Sequence, residues 1–350
     1  MADFSQGQIS MNKSVRTIVS GPWFEDFYLG QEFNDVPSVT ITSAHAAFHQ
    51  ALFGDRMRLY LDQTLSEKIT GKPGILINPS LVANLAIGQS TVPSQRVMGN
   101  LFYKGLVFRE PVFVGDTIKT KTKVVGLKQN KVREGRAASG MVALEIHVLN
   151  QKEETVLLFW RCPMIPCRDA LALTHKDDDF SFIPDSLGDL DDLIPQWDLQ
   201  AYRNLFRGGH GETIEPGCEY LVESRDTITL APELVRMTLN MAMTHTDADS
   251  SVYGKRLVYG GHTISMAAAQ MTRALPNMVT ILGWYSCDHL APVFEEDTLQ
   301  STVNIDGKNE TDNGCLVDIS VRVVARRGRQ SPDSGSEVDV LLWKLCGLFA

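Results

Sequence analysis

The sequence predicts an α+β protein made of two similar halves, each an antiparallel sheet wrapped around a central helix. Three observations predict this fold class. The chain repeats itself, each repeat holds a helical segment with almost no polar face, and several strand-like segments follow that helix. With 350 residues, the chain is long enough for two domains of ordinary size.

The internal repeat consists of short segments that recur in the same order at separations of 181 to 187 residues. Each match is weak by itself, but three matches in a constant order are difficult to obtain by chance. We therefore expect a first half at residues 20–165, an acidic linker at 166–204 and a second half at 205–350. The matching segments are GQEF at 30–33 with GCEY at 217–220, PVF at 111–113 and 292–294, and VLL at 156–158 and 340–342.

Each half is expected to contain a short helix, a loop, a nearly apolar helix and then strands. Proline at position 232 suits the first turn of the second short helix. The apolar helices should be buried on all sides, because they present little polar surface to water. The predicted short helices are residues 43–54 and 231–244, the apolar helices 79–88 and 262–275, and the strands 116–126, 140–150, 155–162, 297–306, 315–325 and 338–346.

The net charge of −9 is concentrated in the linker, where residues 176–192 contain seven Asp and one Lys, so we expect the linker to be a solvated chain. A nucleic-acid-binding protein should carry a basic stripe instead, so we expect no nucleic-acid partner. No apolar run approaches the ~18 residues of a membrane span, and the polar N-terminus is unlike a secretory signal. Six cysteines without a CxxC pair fit reduced thiols, so we expect a cytoplasmic protein without membrane association.

This order of segments resembles the hotdog fold, and its duplication resembles the double-hotdog MaoC-like hydratases, above all the mesaconyl-CoA hydratase type. The opening segment FEDFYLGQEF at 24–33 is similar to that family's, as are the strand starts PVFVGDT at 111–117 and PVFEEDT at 292–298. HQALFGDRMRL at 49–59 is similar to a stretch of actinobacterial double-hotdog proteins. The resemblance covers all but the tail and linker. It implies reversible hydration of a trans-2-enoyl-CoA, or dehydration of a 3-hydroxyacyl-CoA.

Hydratases of this family carry an Asp and a His five residues apart, ahead of the central helix. In the first half Asp55 matches the Asp, but Tyr60 stands where the His would be. In the second half His245 matches the His, Asn240 stands where the Asp would be, and Asp247 matches a second acid. The resemblance therefore implies a degenerate site in the first half and an active site in the second, with Asp55 and Tyr60 as secondary candidates.

The chemistry of hydration assigns roles to these residues. The carbonyl oxygen of an enoyl thioester must take negative charge, and unpaired amides at a helix N-terminus stabilise it. We expect Gly260 to donate to that oxygen and His245 to act as acid and base. Asn240 would position water or substrate, because an amide cannot accept a proton, and Asp247 would orient His245. Each has a structural alternative, such as a helix-end cap for Asn240 and a hydrogen-bonded loop histidine for His245.

Substrate-binding residues are predicted around the same helix start. Gly261, Tyr259 and His262 would line the pocket, although tight packing of helix on sheet would also explain the glycines. Lys255 and Arg256 precede this turn and would bind the CoA phosphates.

Neither a metal nor a redox cofactor is expected, and the CoA thioester would enter as substrate. His45 and His49 are four residues apart, but no HExxH pattern accompanies them. Two other functions stay open: a non-catalytic acyl-CoA-binding hotdog protein, favoured by Asn240, and a hotdog acyl-CoA thioesterase. The chain could be a monomer that mimics a hotdog dimer, or a homo-oligomer.

Overall fold

The computed structural model describes residues 17–131, 133, 135–206, 214–312 and 314–350. Within them, the chain forms a 12-stranded antiparallel sheet and six α-helices. The strands are β1 (Glu32–Phe33), β2 (Val39–Thr40), β3 (Gly99–Phe108), β4 (Thr117–Gln129), β5 (Ser139–Leu149), β6 (Thr155–Pro166), β7 (Glu219–Leu221), β8 (Asp226–Thr227), β9 (Met278–His289), β10 (Thr298–Thr311), β11 (Gly314–Arg326) and β12 (Glu337–Phe349). The helices are α1 (Ser43–Phe53), α2 (Gln63–Thr70), α3 (Pro79–Gln89), α4 (Leu199–Arg203), α5 (Ala231–Met237) and α6 (Gly260–Ala274).

The order of the strands in the sheet is the same when it is read from either end. The series β1-β4-β5-β6-β3 of the first half is matched by β7-β10-β11-β12-β9 of the second, and β2 and β8 pair with β4 and β10. The two half-sheets join where β3 pairs with β9, with Tyr103 opposite Cys287 and Val107 opposite Gly283. This arrangement confirms the predicted α+β double hotdog. The sequence analysis did not identify β3 and β9, the two strands that form the junction.

Helices α3 and α6 lie at the centre of the two halves. Every residue of α3 is buried, and α6 is buried from Gly261 to Thr272, as their nearly apolar sequences predicted. The two helices pack against each other, and Asn84 Nδ2 of α3 donates to Ser265 Oγ of α6 at 2.8 Å. A Cβ atom on Gly261 would lie 1.8 Å from Asn84 Oδ1, so this approach of the helices requires glycine.

The second short helix is shorter than predicted. Helix α5 ends at Met237 instead of continuing to residue 244. The Thr238 hydroxyl donates back to the carbonyl of Leu234, and Leu239 adopts a left-handed conformation with φ of 57°. The chain then forms a 3-10 helix at Met243–His245. Helix α6 begins at Gly260, two residues before the predicted start.

The acidic linker is not a solvated chain, which corrects the expectation drawn from its charge. Its apolar residues Leu187, Leu193, Ile194 and Leu199 are buried in a hydrophobic cluster that also contains residues of α2, β3 and β9. The Lys176 ammonium donates to three backbone carbonyls of the opening segment. Apolar side chains interleave with the aspartates, so the segment packs on one side and keeps most of its charges in water.

No helix among the described residues is long and apolar enough to cross a membrane. All six cysteines are unpaired, in agreement with the prediction of reduced thiols.

The α3–α6 contact yields a stability prediction. Gly261→Ala should lower the free energy of unfolding by ~1–3 kcal/mol, because the new methyl group overlaps the Asn84 side chain. In an Asn84→Ala background the same substitution should cost less, since the overlapping amide oxygen is gone. Urea unfolding followed by circular dichroism measures both values. Gly99→Ala is the control, because a Cβ there would meet nothing within 4 Å. An equal cost in both backgrounds would contradict this account.

Candidate active site

A cavity of about 230 Å³ lies between the two halves and brings together part of the predicted site. The second half contributes the 3-10 helix Met243–His245, the loop 253–259 and the start of α6 at Gly260. The first half contributes residues 97–103, with Arg161 and Met164 of β6. The site is therefore composite, although all four predicted catalytic positions, Asn240, His245, Asp247 and Gly260, come from the second half.

His245 is held by a backbone carbonyl. Its Nδ1 lies 2.8 Å from the carbonyl oxygen of Leu257. Because a carbonyl oxygen can only accept, Nδ1 carries the proton and Nε2 keeps a free lone pair. Burial lowers the pKa of His245 to about 4, and the nearby positive charge of Arg161 acts in the same direction. The imidazole is therefore neutral at pH 7 and able to accept a proton.

Asp247 does not orient His245, contrary to the sequence-based expectation. Its side chain is exposed and accepts from the Asp249 amide at 3.1 Å and from the Ser250 hydroxyl at 2.7 Å. The carbonyl of Leu257 takes the predicted orienting role. A backbone group in a returning loop has no sequence signature, so the sequence could not have identified it.

Asn240 and Asp55 occupy matching positions and make the same local contact. Asn240 Oδ1 accepts from the Ala242 amide at 2.9 Å, and Asp55 Oδ1 accepts from the Met57 amide at 2.8 Å. Asn240 is 8% exposed and lines the cavity, so it has both its structural role and access to a ligand. Asp55 lies outside this cavity, and burial raises its pKa.

Gly260 lines the cavity and begins α6, where the first amides have no intrahelical acceptor. A Cβ atom at Gly260 would lie 2.5 Å from Nε2 of His289. The His289 ring therefore occupies the space that any side chain at position 260 would need. Tyr259 also lines the cavity, and its hydroxyl donates to the carbonyl of Asn84 at 3.1 Å.

Gly261 and His262 do not line the cavity, contrary to prediction. Gly261 faces Asn84 of helix α3. His262 is fully buried against the Phe53 ring, with 4.9 Å between the ring centroids and no hydrogen-bond partner for either nitrogen. These two residues take part in the packing of the central helices.

Lys255 and Arg256 lie in a shallow depression outside the cavity. Arg256 forms an ion pair with Glu295 at 2.6 Å, and the Lys255 ammonium lies 3.7 Å above the Phe294 ring. Phe294 in turn contacts Tyr253, which lines the cavity. Phe294 thus lies between Lys255 and the cavity wall, whereas Arg256 contacts Glu295.

The polar residues of the cavity that were not predicted include Tyr103, Arg161 and His289. Burial lowers the pKa of His289 to about 4, and its Nε2 has no hydrogen-bond partner in the part of the chain that the structure describes. Burial raises the pKa of Tyr103 to about 12. An arginine within the apolar segment TVLLFWRC was a usable signal for Arg161. Tyr103 and His289 lie on strands that the sequence analysis did not identify.

The first half has a matching cavity of about 380 Å³, partly lined by linker residues 192–197. Its polar groups differ from those of the second cavity, and Tyr60 there hydrogen-bonds Thr280 through its hydroxyl. Proline at position 79 has no N–H to donate at the helix start. The matched residues, with the residue of the first cavity named first, are Tyr60 with His245, Pro79 with Gly260 and Phe108 with His289. Arg161 of the second cavity matches Leu345, which lies in the second half.

Among the described residues, no group of three or more His, Cys, Asp and Glu side chains could hold a metal ion. His45 and His49 have other surroundings: His45 Nδ1 accepts from the Thr42 amide at 3.1 Å, and His49 is buried against Phe53.

Two curated proteins and two solved structures are similar to the chain over most of its length. It is 31% identical over 331 residues to beta-methylmalyl-CoA dehydratase of Chloroflexus aurantiacus, covering 89% of this chain and 90% of that protein. It is 29% identical over 327 residues to mesaconyl-CoA hydratase of Cereibacter sphaeroides, covering 89% and 91%. No family sequence model matches the chain.

Both structures share the fold. A conserved protein of Mycobacterium tuberculosis, described as a double hotdog and as essential for bacterial survival during infection, superposes with a TM-score of 0.85. It is 40% identical, with 94% of this chain and 98% of that chain covered. A putative MaoC domain protein dehydratase of Chloroflexus aurantiacus gives a TM-score of 0.80 at 28% identity, covering 96% and 99%.

Buried neutral imidazoles should make the protein sensitive to acid. Burial lowers the pKa of His49 to about 3 and that of His262 to about 4, as it does for the two cavity histidines. In the unfolded chain a histidine has a pKa near 6.5 and binds a proton below that pH, whereas the buried imidazoles stay neutral. The free energy of unfolding is therefore highest above pH 6.5 and decreases as the pH falls towards 4, by up to ~1.4 kcal/mol per pH unit for each histidine. Asp55 and Asp288 oppose this trend, because burial raises the pKa of both carboxyl groups.

Urea unfolding at pH 7, 6 and 5 should therefore give decreasing free energies of unfolding. The decrease should be smaller in a His49→Leu/His262→Leu double variant and unchanged in His175→Asn, which alters an exposed histidine. A wild-type free energy that is constant between pH 7 and 5 would contradict this prediction.

Proposed function

The chain belongs to the double-hotdog family of MaoC-like CoA hydratases and dehydratases, and we propose that it catalyses the reversible hydration of a trans-2-enoyl-CoA. The reverse reaction is the dehydration of a 3-hydroxyacyl-CoA. The observation that carries this proposal is the neutral His245 imidazole, whose Nδ1 is bound by Leu257, in the same cavity as the first amide of α6.

The proposed site uses Gly260 and His245 for the central steps. The Gly260 amide donates to the thioester oxygen and stabilises the negative charge that develops there as water adds. The water oxygen bonds to C3 while His245 Nε2 takes one of its protons. The enolate then accepts a proton at C2 from the His245 imidazolium. One water is added, and the imidazole returns to its neutral state.

His289 and Asn240 are proposed to assist. His289 Nε2 lies against Gly260 and has no protein partner, so it can act as a second donor to the thioester oxygen. Asn240 cannot accept a proton, and its oxygen is already engaged by the Ala242 amide. We assign Asn240 to holding the loop of His245 and to hydrogen-bonding the substrate water.

The CoA thioester is the proposed substrate, as the names of both curated relatives suggest for those proteins. Adding water to a double bond transfers no electrons, so the reaction as written calls for no redox cofactor. A cavity of about 230 Å³ is smaller than typical sites for drug-sized ligands and favours a short acyl chain. Lys255 and Arg256 are proposed to lie along the path of the CoA phosphates.

The division into halves at 20–165 and 205–350 remains part of the proposal. In this arrangement the second half supplies the acid and base, and the first half supplies the opposite wall. Both walls come from one chain, so a monomer would be sufficient for activity, and assembly into homo-oligomers would add no residue to the site.

Replacing the proposed base should abolish most of the activity. Purified protein mixed with crotonyl-CoA or mesaconyl-CoA should lower the absorbance of the enoyl thioester, and His245→Gln should reduce kcat by ~10²–10⁴-fold. Tyr60→Phe is the matched control, because Tyr60 occupies the equivalent position in the other half; it should retain the wild-type rate.

The same assay tests the alternatives. Release of free CoA thiol without hydration would identify a thioesterase. Binding of CoA thioesters with neither reaction, measured by calorimetry, would identify a binding protein and would contradict the proposed function. In that case Asn240→Asp should create hydratase activity.

The lowered pKa of His245 predicts the pH profile. Because burial places this pKa at about 4, the neutral base predominates at pH 5 and above, so kcat/KM should stay level from pH 8 to 5. An unperturbed histidine would cause a decline beginning near pH 6.5. The rate should be measured immediately after a pH jump, with residual activity assayed at pH 7 to correct for unfolding. A decline centred near pH 6.5 would contradict the proposed base or its environment.

A further inference from the structure

The cavity that contains His245 is bordered by polar atoms without partners. Four buried side-chain atoms of its lining residues have no hydrogen-bond partner in the part of the chain that the structure describes, whereas the described lining of the first cavity has no such atom. Buried polar atoms in proteins are almost always hydrogen-bonded, so these four indicate a polar ligand. They are Asn100 Oδ1, Arg161 Nε, Thr244 Oγ1 and His289 Nε2.

Asn100 Oδ1 differs from the other three atoms because it can only accept a hydrogen bond. A guanidinium nitrogen only donates, and a hydroxyl group or a neutral imidazole can donate or accept. The orientation of the Asn100 amide is set by its nitrogen, since Nδ2 donates to the carbonyl of Phe102 at 2.9 Å. A ligand that satisfies Asn100 must therefore offer a donor.

The acyl part of crotonyl-CoA has no hydrogen-bond donor. Its one oxygen is the thioester carbonyl, which accepts. In the proposed reaction, the donors near the reacting carbon are the water before addition and the 3-hydroxyl group afterwards. The water gives one hydrogen to His245 Nε2, so its other hydrogen is left for a second acceptor.

Strand β3 brings Asn100 into the cavity from the first half. Residues three apart point to opposite faces of a regular strand, but Asn100 and Tyr103 both line this cavity. The pairing of β3 with β6 explains this, because its register shifts between these two residues. Irregularities of this kind re-aim a side chain and are common beside active sites.

The internal duplication shows that the fold does not need an asparagine at this position. The counterpart of Asn100 on strand β9 is Ile281, at a separation of 181 residues. The same separation relates Phe108 to His289, which end the two strands. Ile281 is 2% exposed and lines the first cavity. Of the two cavities, the one with His245 has the amide.

We propose that Asn100 is a water-positioning residue, whose Oδ1 accepts from the water that adds at C3 and from the 3-hydroxyl group that this water becomes. This inference rests on the proposed hydratase function and adds a residue of the first half to its site. The water donates one hydrogen to His245 Nε2 and the other to Asn100 Oδ1. Asn240 offers its amide nitrogen to the water oxygen, because its own oxygen accepts from Ala242. The remaining lone pair of the water forms the bond to C3, and the hydrogen held by Asn100 stays on the product.

Butyryl-CoA and 3-hydroxybutyryl-CoA differ only in the 3-hydroxyl group, so their affinities measure its recognition. In a His245→Gln background, which prevents turnover, calorimetry should show one enantiomer of 3-hydroxybutyryl-CoA binding about tenfold more tightly than butyryl-CoA. Adding Asn100→Ile, which copies Ile281, should remove this difference. A ratio of affinities that Asn100→Ile leaves unchanged would overturn the proposal, including the case in which both ligands bind more weakly to the same extent.

Kinetics on the otherwise unchanged chain test the same residue. Asn100→Ile should lower kcat for crotonyl-CoA hydration about 10–100-fold and leave the dissociation constant of butyryl-CoA unchanged, because the residue acts on the water and not on the thioester. Asn304→Ile is the control, since Asn304 is also a half-buried strand residue but lies outside both cavities. It should keep the wild-type values. Equal losses of kcat and of butyryl-CoA affinity in Asn100→Ile would overturn the proposal and assign Asn100 to the fold.

The two measurements separate this proposal from the proposed function. If the wild-type chain hydrates crotonyl-CoA and the preference for the hydroxyl group does not depend on Asn100, the hydratase function stands and the proposed water position is wrong. If the chain hydrates no enoyl-CoA, that function fails, but a hydroxyl preference that Asn100→Ile removes would still support Asn100 as the acceptor for a 3-hydroxyacyl group. Asn100→Ala gives the same comparison if Asn100→Ile fails to fold.

Discussion

The antiparallel pairing of β3 with β9 is the constraint on which the rest of the structure depends. It joins the two half-sheets into one, with Tyr103 opposite Cys287, and brings α3 against α6. Each cavity then receives one wall from each half. The loop of His245 faces Arg161 only because this junction places a strand of the first half beside the helix of the second. A single half would have neither cavity.

The two cavities have matching positions but different chemistry. Where the second half has His245 and Gly260, the first has Tyr60 and Pro79, so it lacks an imidazole and a donor at the helix start. The residue pair Asp55 and Asn240 shows why the loops kept their shape, since a carboxylate and an amide oxygen accept the same backbone hydrogen bond. The local turn is therefore the same with either side chain.

Burial sets the electrostatic character of the second cavity. Its imidazoles are neutral, Tyr103 and Tyr259 are protonated, and Arg161 supplies a positive charge. Such a cavity stabilises anions, including a negative charge that develops on a thioester oxygen. A neutral imidazole is also the form that can take a proton from water. Burial therefore serves two requirements of a hydration reaction, a base for the water and a site that stabilises negative charge.

The sequence by itself determined the duplication, both central helices and six of the long strands, because all of these are encoded by local patterns. His245, Asn240 and Gly260 became candidates through the resemblance to a family. The tertiary structure decided what surrounds them. The junction strands β3 and β9, the packing of the acidic linker and the carbonyl of Leu257 in place of Asp247 depend on contacts between distant segments. Arg161 and His289 likewise enter the cavity from opposite halves. Periodicity reports the neighbours of a residue along the chain, whereas a composite site is made by residues that only strand pairing brings together.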